Sequence, residues 1–265
     1  MDTALTSTLM INACVFTGIW LIHVSREDAG VIDFFWGPVF VLIGTVTFVS
    51  EGHLTLYHLL FMAAVSLWAV RLTAHLCQRH LASDSEDGRY RTMREAGGAS
   101  YWWVSLFKVF LLQALILWLV AAPVHVAMRA PAETVWIGGF VIGLIIFLAG
   151  FGLEALADKQ LAAQHSQNRE HIVAGGLWAY SRHPNYVGEI VLWWGLGLSA
   201  FAISGNWMAF LGPVLLSTII RYVSIPLTEE WLVRSRPKYS GYQSDVPLLI
   251  PYPLANKTSA KEPAE

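Results

Sequence analysis

The chain has 265 residues, 55% hydrophobic and 14% charged, with a formal net charge of −2. Soluble domains carry about 25% charged residues, so this composition excludes an ordinary soluble fold, and the near-zero charge gives no footing for a nucleic-acid partner. The two cysteines, Cys14 and Cys77, lie in different segments and support neither a disulfide framework nor a paired-cysteine metal site.

Seven apolar stretches follow in chain order, near residues 6–24, 31–50, 53–77, 103–127, 134–157, 186–203 and 206–225. Most reach the ~20 residues that a helix needs to cross a bilayer. Only Asp2 precedes the first stretch, without the basic flank of a secretory signal, so that stretch is expected to stay as a helix. Little more than Ser204-Gly205 separates the last two, which predicts an antiparallel hairpin. Pro251-Tyr252-Pro253 is expected to end the ordered part. That leaves residues 1–254 as a single transmembrane domain and the polar residues 255–265 as a disordered tail. No internal repeat stands out. The expected fold class is all-α: a polytopic membrane protein with seven transmembrane helices.

Basic residues predict the orientation. Arg26, Arg79, Arg89, Arg91, Arg94, Lys159, Arg169, Arg182, Arg234, Arg236, Lys238, Lys257 and Lys261 fall in the loops near 25–30, 78–101 and 158–185 or towards the C-terminus; the opposite side has Arg129. The positive-inside rule then puts the N-terminus out and the C-terminus in the cytoplasm. In that frame the polar residues of the spans gather at cytoplasmic helix ends. They are Asp33 on the second, Arg71 on the third, Glu154 and Asp158 one turn apart on the fifth, Asn185 and Glu189 on the sixth, and Arg221 on the seventh, followed by Thr228, Glu229 and Glu230. This convergence predicts a cytoplasm-facing cavity. Blander readings exist for single members: a structural Asp33–Arg71 ion pair, solvated helix ends for Asp158 and for Glu229-Glu230, and a turn residue for His183, which precedes Pro184.

The densest polar segment is Gly175-Gly176-Leu177-Trp178-Ala179-Tyr180-Ser181-Arg182-His183-Pro184-Asn185-Tyr186-Val187-Gly188-Glu189, at the mouth of an almost purely apolar helix. Ionisable groups there are costly unless a ligand or partner uses them. An interfacial belt accounts for Trp178, Tyr180 and Arg182, but not for Asn185 and Glu189 on one face. Nucleophile triads, zinc motifs and phosphate-binding glycine loops are missing from the sequence, and the nine histidines are scattered, so no metal site is expected. Arginine, amide, carboxylate and aromatic groups together suit a phosphate-bearing organic cofactor: arginine forks onto phosphate, amides and carboxylates hold ribose and carboxamide, and rings stack.

At these residues the chain resembles the steroid 5-alpha-reductase superfamily, most closely its bacterial branch DUF1295. The matching segments are Asp33-Phe-Phe-Trp36-Gly37, Trp68-Ala-Val-Arg71-Leu72, Glu86-Asp87-Gly88-Arg89-Tyr90, Glu154-Ala-Leu-Ala-Asp158-Lys-Gln160, the block from Gly176 to Glu189, and Glu229 or Glu230 with Tyr239, Tyr242 and Pro251. They cover about residues 30 to 252. Isoprenylcysteine carboxyl methyltransferases share a related Arg-His-Pro-x-Tyr segment and a Glu-Glu…Tyr…Tyr pattern. The resemblance implies a seven-span protein that binds NADPH in a cytoplasm-facing cavity and passes hydride to a 3-oxo-delta-4 steroid or similar enone taken from the bilayer. By position, Asn185 and Glu189 meet the nicotinamide end with Trp193 packing nearby, and Glu154 and Asp158 fall near the adenosine half. Arg89, Arg182 and Arg221 are the phosphate candidates, and Tyr90, His183, Tyr186 and Glu229 complete the expected cofactor set. Asp33, Trp68 and Arg71 form the expected catalytic set. Asp33 sits where the family has a glutamate, one carbon longer, and Trp68 stands where steroid reductases have the tyrosine that polarises the ketone. An indole N–H donates a hydrogen bond but delivers no proton. Beyond Arg221, Ile225, Pro226 and Glu229 replace the family's aromatic and histidine residues.

The function expected is a membrane-embedded NADPH-dependent reductase, an oxidoreductase of lipid metabolism acting on the carbon–carbon double bond of a lipophilic enone. The resemblance favours a bacterial inner membrane. The rival enzyme is an S-adenosylmethionine-dependent methyltransferase, supported by the Arg-His-Pro block and Glu229-Glu230. The non-enzymatic alternative, a lipid-binding scaffold, leaves the convergent ionisable groups as a standing cost. Membrane lipids are expected neighbours, and no protein partner is evident.

Overall fold

A computed structural model describes residues 3–81, 88–165 and 172–249, and every regular element among them is helical. The elements are α1 (Thr3–Arg26), a 3₁₀ turn (Ala29–Phe35) that leads into α2 (Trp36–Glu51), α3 (Leu56–Leu81) and α4 (Gly88–Gly97). Then come α5 (Tyr101–Val120), α6 (Ala122–Arg129), α7 (Ile137–His165), α8 (Pro184–Ser204), α9 (Trp207–Ser235) and α10 (Tyr239–Asp245). Seven of the helical segments are long and apolar enough to cross a membrane, so the chain is an integral membrane protein. The expected end of order at Pro251 and the tail after it lie outside the described residues.

Three spans depart from the sequence expectation: the fifth, expected over 134–157, runs from Ile137 to His165, and proline chemistry accounts for the other two. The fourth span, expected over 103–127, stops at Val120, and α6 begins separately with Pro123 in its first turn. Proline has no N–H to donate, and its ring crowds the carbonyl four residues back, so the backbone breaks at Ala121 with ψ near 4°. The seventh span, expected to end near 225, continues to Ser235 through Pro226. A π-turn over Ile220–Ser224 sits just before that proline. The extra residue in the turn displaces the carbonyl that the ring would strike, so the helix continues. Glu229 therefore belongs to the spanning helix rather than to a separate one.

The chain divides into two compact units, one of residues 1–147 and 193–216, the other of residues 148–192 and 217–265. In the first, polar side chains tie the helices together, as a medium without water requires. Asn12 Nδ2 donates to the Ala114 carbonyl at 2.7 Å, Trp118 Nε1 to Thr8 Oγ1 at 3.1 Å, and Trp36 Nε1 to Gln113 Oε1 at 2.9 Å. Gly37 lets α2 close on α3, since a Cβ there would lie 2.6 Å from the Ala69 carbonyl oxygen. That approach sets Phe40 against Trp68, with ring centroids 5.5 Å apart.

Glycines seven residues apart give each unit a close helix contact. In the first unit a Cβ on Gly195 would fall 2.6 Å from the Gly143 carbonyl oxygen, and one on Gly143 would fall 2.8 Å from that of Gly195. In the second, Gly150 and Gly188 face each other in the same way, at 2.7 Å in each direction. Small residues at helix contacts let backbones approach where lipid gives no hydrophobic drive, and a seven-residue period keeps them on one stripe.

Candidate functional site

The segment before α8 is held from both sides within the second unit. Gly176 takes a φ of 63°, and a Cβ there would strike the Gln160 amide at 2.6 Å. Gln160 Oε1 accepts from the Leu177 N–H at 2.9 Å, and Trp178 Nε1 donates to the Ala157 carbonyl at 3.1 Å, so the turn is fastened to α7. From the other side the Tyr242 hydroxyl of α10 donates to the Trp178 carbonyl at 2.6 Å and to that of Ser181 at 3.4 Å. The Arg182 N–H donates to the Pro247 carbonyl at 3.0 Å. Burial pushes the Tyr242 phenol up to about 12. Tyr239 is raised as well, first by burial and then by the charge of Glu229.

This fastening presents Arg182 and His183 to Glu229. Arg182 Nε lies 3.2 Å and His183 Nε2 3.1 Å from Glu229 Oε1, while Gln243 Nε2 donates to Oε2 at 3.2 Å. The Tyr239 hydroxyl reaches Oε1 at 3.5 Å, and Arg182 Nη1 donates to the Gln243 carbonyl at 3.4 Å. Tyr186 stacks on the His183 ring, with centroids 5.4 Å apart and planes 15° apart. A carboxylate that receives this many donors is fixed as an acceptor. The side chains of Arg182, His183 and Glu229 are 13%, 4% and 15% exposed, so the charges are held in a mostly dry setting.

One turn away, Asn185 Nδ2 donates to Asp158 Oδ1 at 3.2 Å. Since the carboxylate takes the amide's donor side, the amide orientation is fixed. The Asn185 carbonyl oxygen is buried and accepts no hydrogen bond. Glu154 and Asp158 are both buried at one face of α7, and Glu189 is half-buried on α8.

The second unit thus assembles Glu154, Asp158, Arg182, His183, Asn185, Tyr186, Glu189 and Glu229. Arg221 also belongs to it but is exposed in the π-turn, its guanidinium 5.2 Å from the Tyr222 ring centroid. Asp33, Trp68, Arg71 and Trp193 belong to the first unit. Asp33 is half-buried in the 3₁₀ turn and Arg71 half-buried on α3, while Trp68 and Trp193 are in edge-to-face contact at 5.3 Å. Arg89 and Tyr90 start α4, and their side chains, like Glu86 and Asp87, lie outside what the structure describes. Sequence reasoning did not single out Gln243, which closes the Glu229 cluster, or Phe40, which packs on both tryptophans. Neither sits in a spacing that marks it. Gly150 and Gly188, by contrast, were findable from the seven-residue glycine period shared with Gly143 and Gly195.

A helical membrane protein with ionisable groups collected at the mouth of a spanning helix is the class that this arrangement defines. The model of a family described as proteins of unknown function, DUF1295, matches residues 19–246, and the chain belongs to that family. The uncharacterized protein C594.04c of Schizosaccharomyces pombe is 27% identical over 274 residues, 92% of this chain and 78% of that protein. The steroid 5-alpha-reductase DET2 of Solanum lycopersicum is 38% identical over 82 residues, 31% of this chain and 32% of that protein, a partial and distant relationship to a reductase.

Proposed function

We propose that this protein is a membrane-embedded NADPH-dependent reductase of the carbon–carbon double bond of a lipophilic enone, with its cofactor site facing the cytoplasm. The observation that carries the reading is the Asn185 amide. Its N–H side is committed to Asp158 at 3.2 Å, and its buried oxygen has no donor. A buried acceptor left unpaired costs about 1–3 kcal/mol, and the carboxamide NH₂ of a nicotinamide is the donor that would remove that cost. Arg182, held beside Glu229 with its charge in a dry setting, suits a phosphate, and Glu189 suits a further carboxamide or ribose donor. The partial likeness to a steroid 5-alpha-reductase supports the same class.

When bound, NADPH supplies a hydride. The chain's own residues have other roles. Asn185 orients the cofactor by accepting from it, and Asp158 keeps the amide from flipping. In the first unit, Asp33 is the acid that gives its proton to the enone oxygen as negative charge grows there, and Trp68 and Arg71 complete the proposed catalytic set. The test is equilibrium binding to the detergent-purified full chain. NADPH is expected to bind, and Asn185→Ala to weaken it about tenfold, the equivalent of ~1.4 kcal/mol for one lost hydrogen bond. Saturable binding of S-adenosylhomocysteine with no binding of NADPH would instead establish the methyltransferase that shares the Arg-His-Pro block.

A further inference from the structure

α9 is longer than a crossing needs. Its 29 residues extend ~43 Å at about 1.5 Å per residue, against a hydrocarbon layer about 30 Å thick, so about two turns emerge. They emerge at the C-terminal end, where Glu229, Glu230 and Arg234 follow the apolar run. There, three exposed residues share one face at i, i+4 and i+7: Leu227, 47% exposed, Trp231, 51% exposed, and Arg234, its side chain 77% exposed. Lys238, also exposed, follows just beyond the helix end.

A helix end that stood in water alone would leave Leu227 and Trp231 hydrated on its outward face, which is unfavourable. The order along this stripe runs from an aliphatic chain through an indole to a guanidinium. The layers of a bilayer follow the same order, from acyl chains through the interface to phosphate. The local charge has the sign that an anionic headgroup needs. Glu229 is turned inward to Arg182 and His183, at 3.2 and 3.1 Å. Across residues 230–238, Glu230 is then the one acid against Arg234, Arg236 and Lys238. Arg234 Nη2 donates to Glu230 Oε1 at 2.6 Å, but a guanidinium has five N–H donors, and the others remain for phosphate oxygens.

We propose that the outward face of Leu227, Trp231 and Arg234, together with Lys238, is a seat for an anionic phospholipid. An acyl chain lies along Leu227, the Trp231 indole sits at the level of the glycerol, and Arg234 and Lys238 hold the phosphate. This lipid is neither cofactor nor substrate, so the seat stands or falls independently of the reductase reading. It bears on the polar cluster through the helix itself. Glu229 leaves the opposite side of the same turns to meet Arg182 and His183, and a lipid held on the outer side steadies the helix that presents it.

The test is native mass spectrometry of the full chain, released from micelles that hold dioleoylphosphatidylglycerol and dioleoylphosphatidylcholine in equal amounts. The wild type is expected to retain the anionic lipid in preference. Arg234→Gln and Lys238→Gln are each expected to lower its apparent affinity about fivefold, and the double variant ~25-fold, with the choline lipid unchanged. Because a variant can disturb the helix end, Glu230→Gln gives a readout of opposite sign. It removes the opposing charge and is expected to strengthen binding of the anionic lipid by up to about fivefold, a gain that no folding defect produces. Position is read by photo-crosslinking: with p-benzoylphenylalanine in place of Trp231, irradiation is expected to attach phosphatidylglycerol, and Arg234→Gln with Lys238→Gln to reduce the yield. Equal retention of the two lipids, a preference that survives the double variant, weaker binding in Glu230→Gln, or a crosslink indifferent to Arg234 and Lys238 overturns the seat.

Discussion

Replacing Gly188 by alanine tests whether a glycine contact sets the position of the Asn185 amide. A Cβ at 188 would lie 2.7 Å from the Gly150 carbonyl oxygen and 2.8 Å from Glu154 Cα, both backbone atoms that cannot rotate away. The nearest backbone atom is Glu154 N at 2.4 Å, and ordinary contact begins at 3.4 Å, so α7 and α8 must part there by about 1 Å, in a core packed as densely as a crystal. Overpacking of this kind costs about 1–3 kcal/mol, reduced by up to ~1 kcal/mol because alanine is the better helix former. Gly152→Ala, on the same α7, is the matched control: nothing lies within 4 Å of its added Cβ, so it keeps the helix gain of about 1 kcal/mol without a clash. Each kcal/mol moves the melting temperature by about 2–4 °C in a domain of this size. Scanning fluorimetry in detergent should therefore show a lower apparent Tm for Gly188→Ala and an equal or higher one for Gly152→Ala. Because Asn185 and Gly188 are one turn apart on α8, the same retreat lengthens the 3.2 Å bond from Asn185 to Asp158, and NADPH affinity should fall with the Tm only in Gly188→Ala. Equal Tm values for the two variants would refute the reasoning.

Glu229→Gln leaves Arg182 and His183 without their carboxylate in a setting 15% exposed or less. It should cost about 1–3 kcal/mol, below the full penalty for a deeply buried pair. Glu230→Gln, whose Arg234 partner is 77% exposed, should cost less than about 0.5 kcal/mol by the same melting assay. Tyr242 is held neutral up to about 12 by burial, against about 10 in an unfolded chain. Both states carry the proton below pH 10, so this contribution is intact there; above pH 10 only the unfolded chain ionises, and stability falls as pH rises towards 12. A series of pH-dependent melts should show that fall, and Tyr242→Phe should flatten it while lowering the neutral-pH Tm through the two lost carbonyl contacts. Asp33→Asn should leave NADPH affinity within about twofold and lower enone turnover about 100-fold, the scale of a lost general acid; unchanged turnover would make Asp33 structural.

Hydropathy carried most of the fold, because the bilayer forces each spanning segment to satisfy its own backbone. All seven spans were legible as runs of apolar residues. Their ends were less so: Pro123 breaks a helix while Pro226 does not, and only the π-turn before Pro226 distinguishes them. At the site, polar residues at a helix mouth were conspicuous in the sequence, and Arg182, His183 and Asn185 are indeed buried or half-buried with polar partners. What they touch was hidden, because Glu229 and Gln243 arrive from 46 and 61 residues away in sequence. Trp68 and Trp193 show the same limit. Apolar in any hydropathy count, they reveal their unpaired N–H groups only once the neighbours are known.

The most direct measurement is to purify the protein in mild detergent, denature it, and identify the released nucleotides by mass spectrometry alongside an Asn185→Ala preparation. The account predicts NADP(H) from the wild type in an amount approaching one per chain, and much less from the variant. S-adenosylhomocysteine in its place, or no binding when the purified chain is titrated with NADPH, would contradict it.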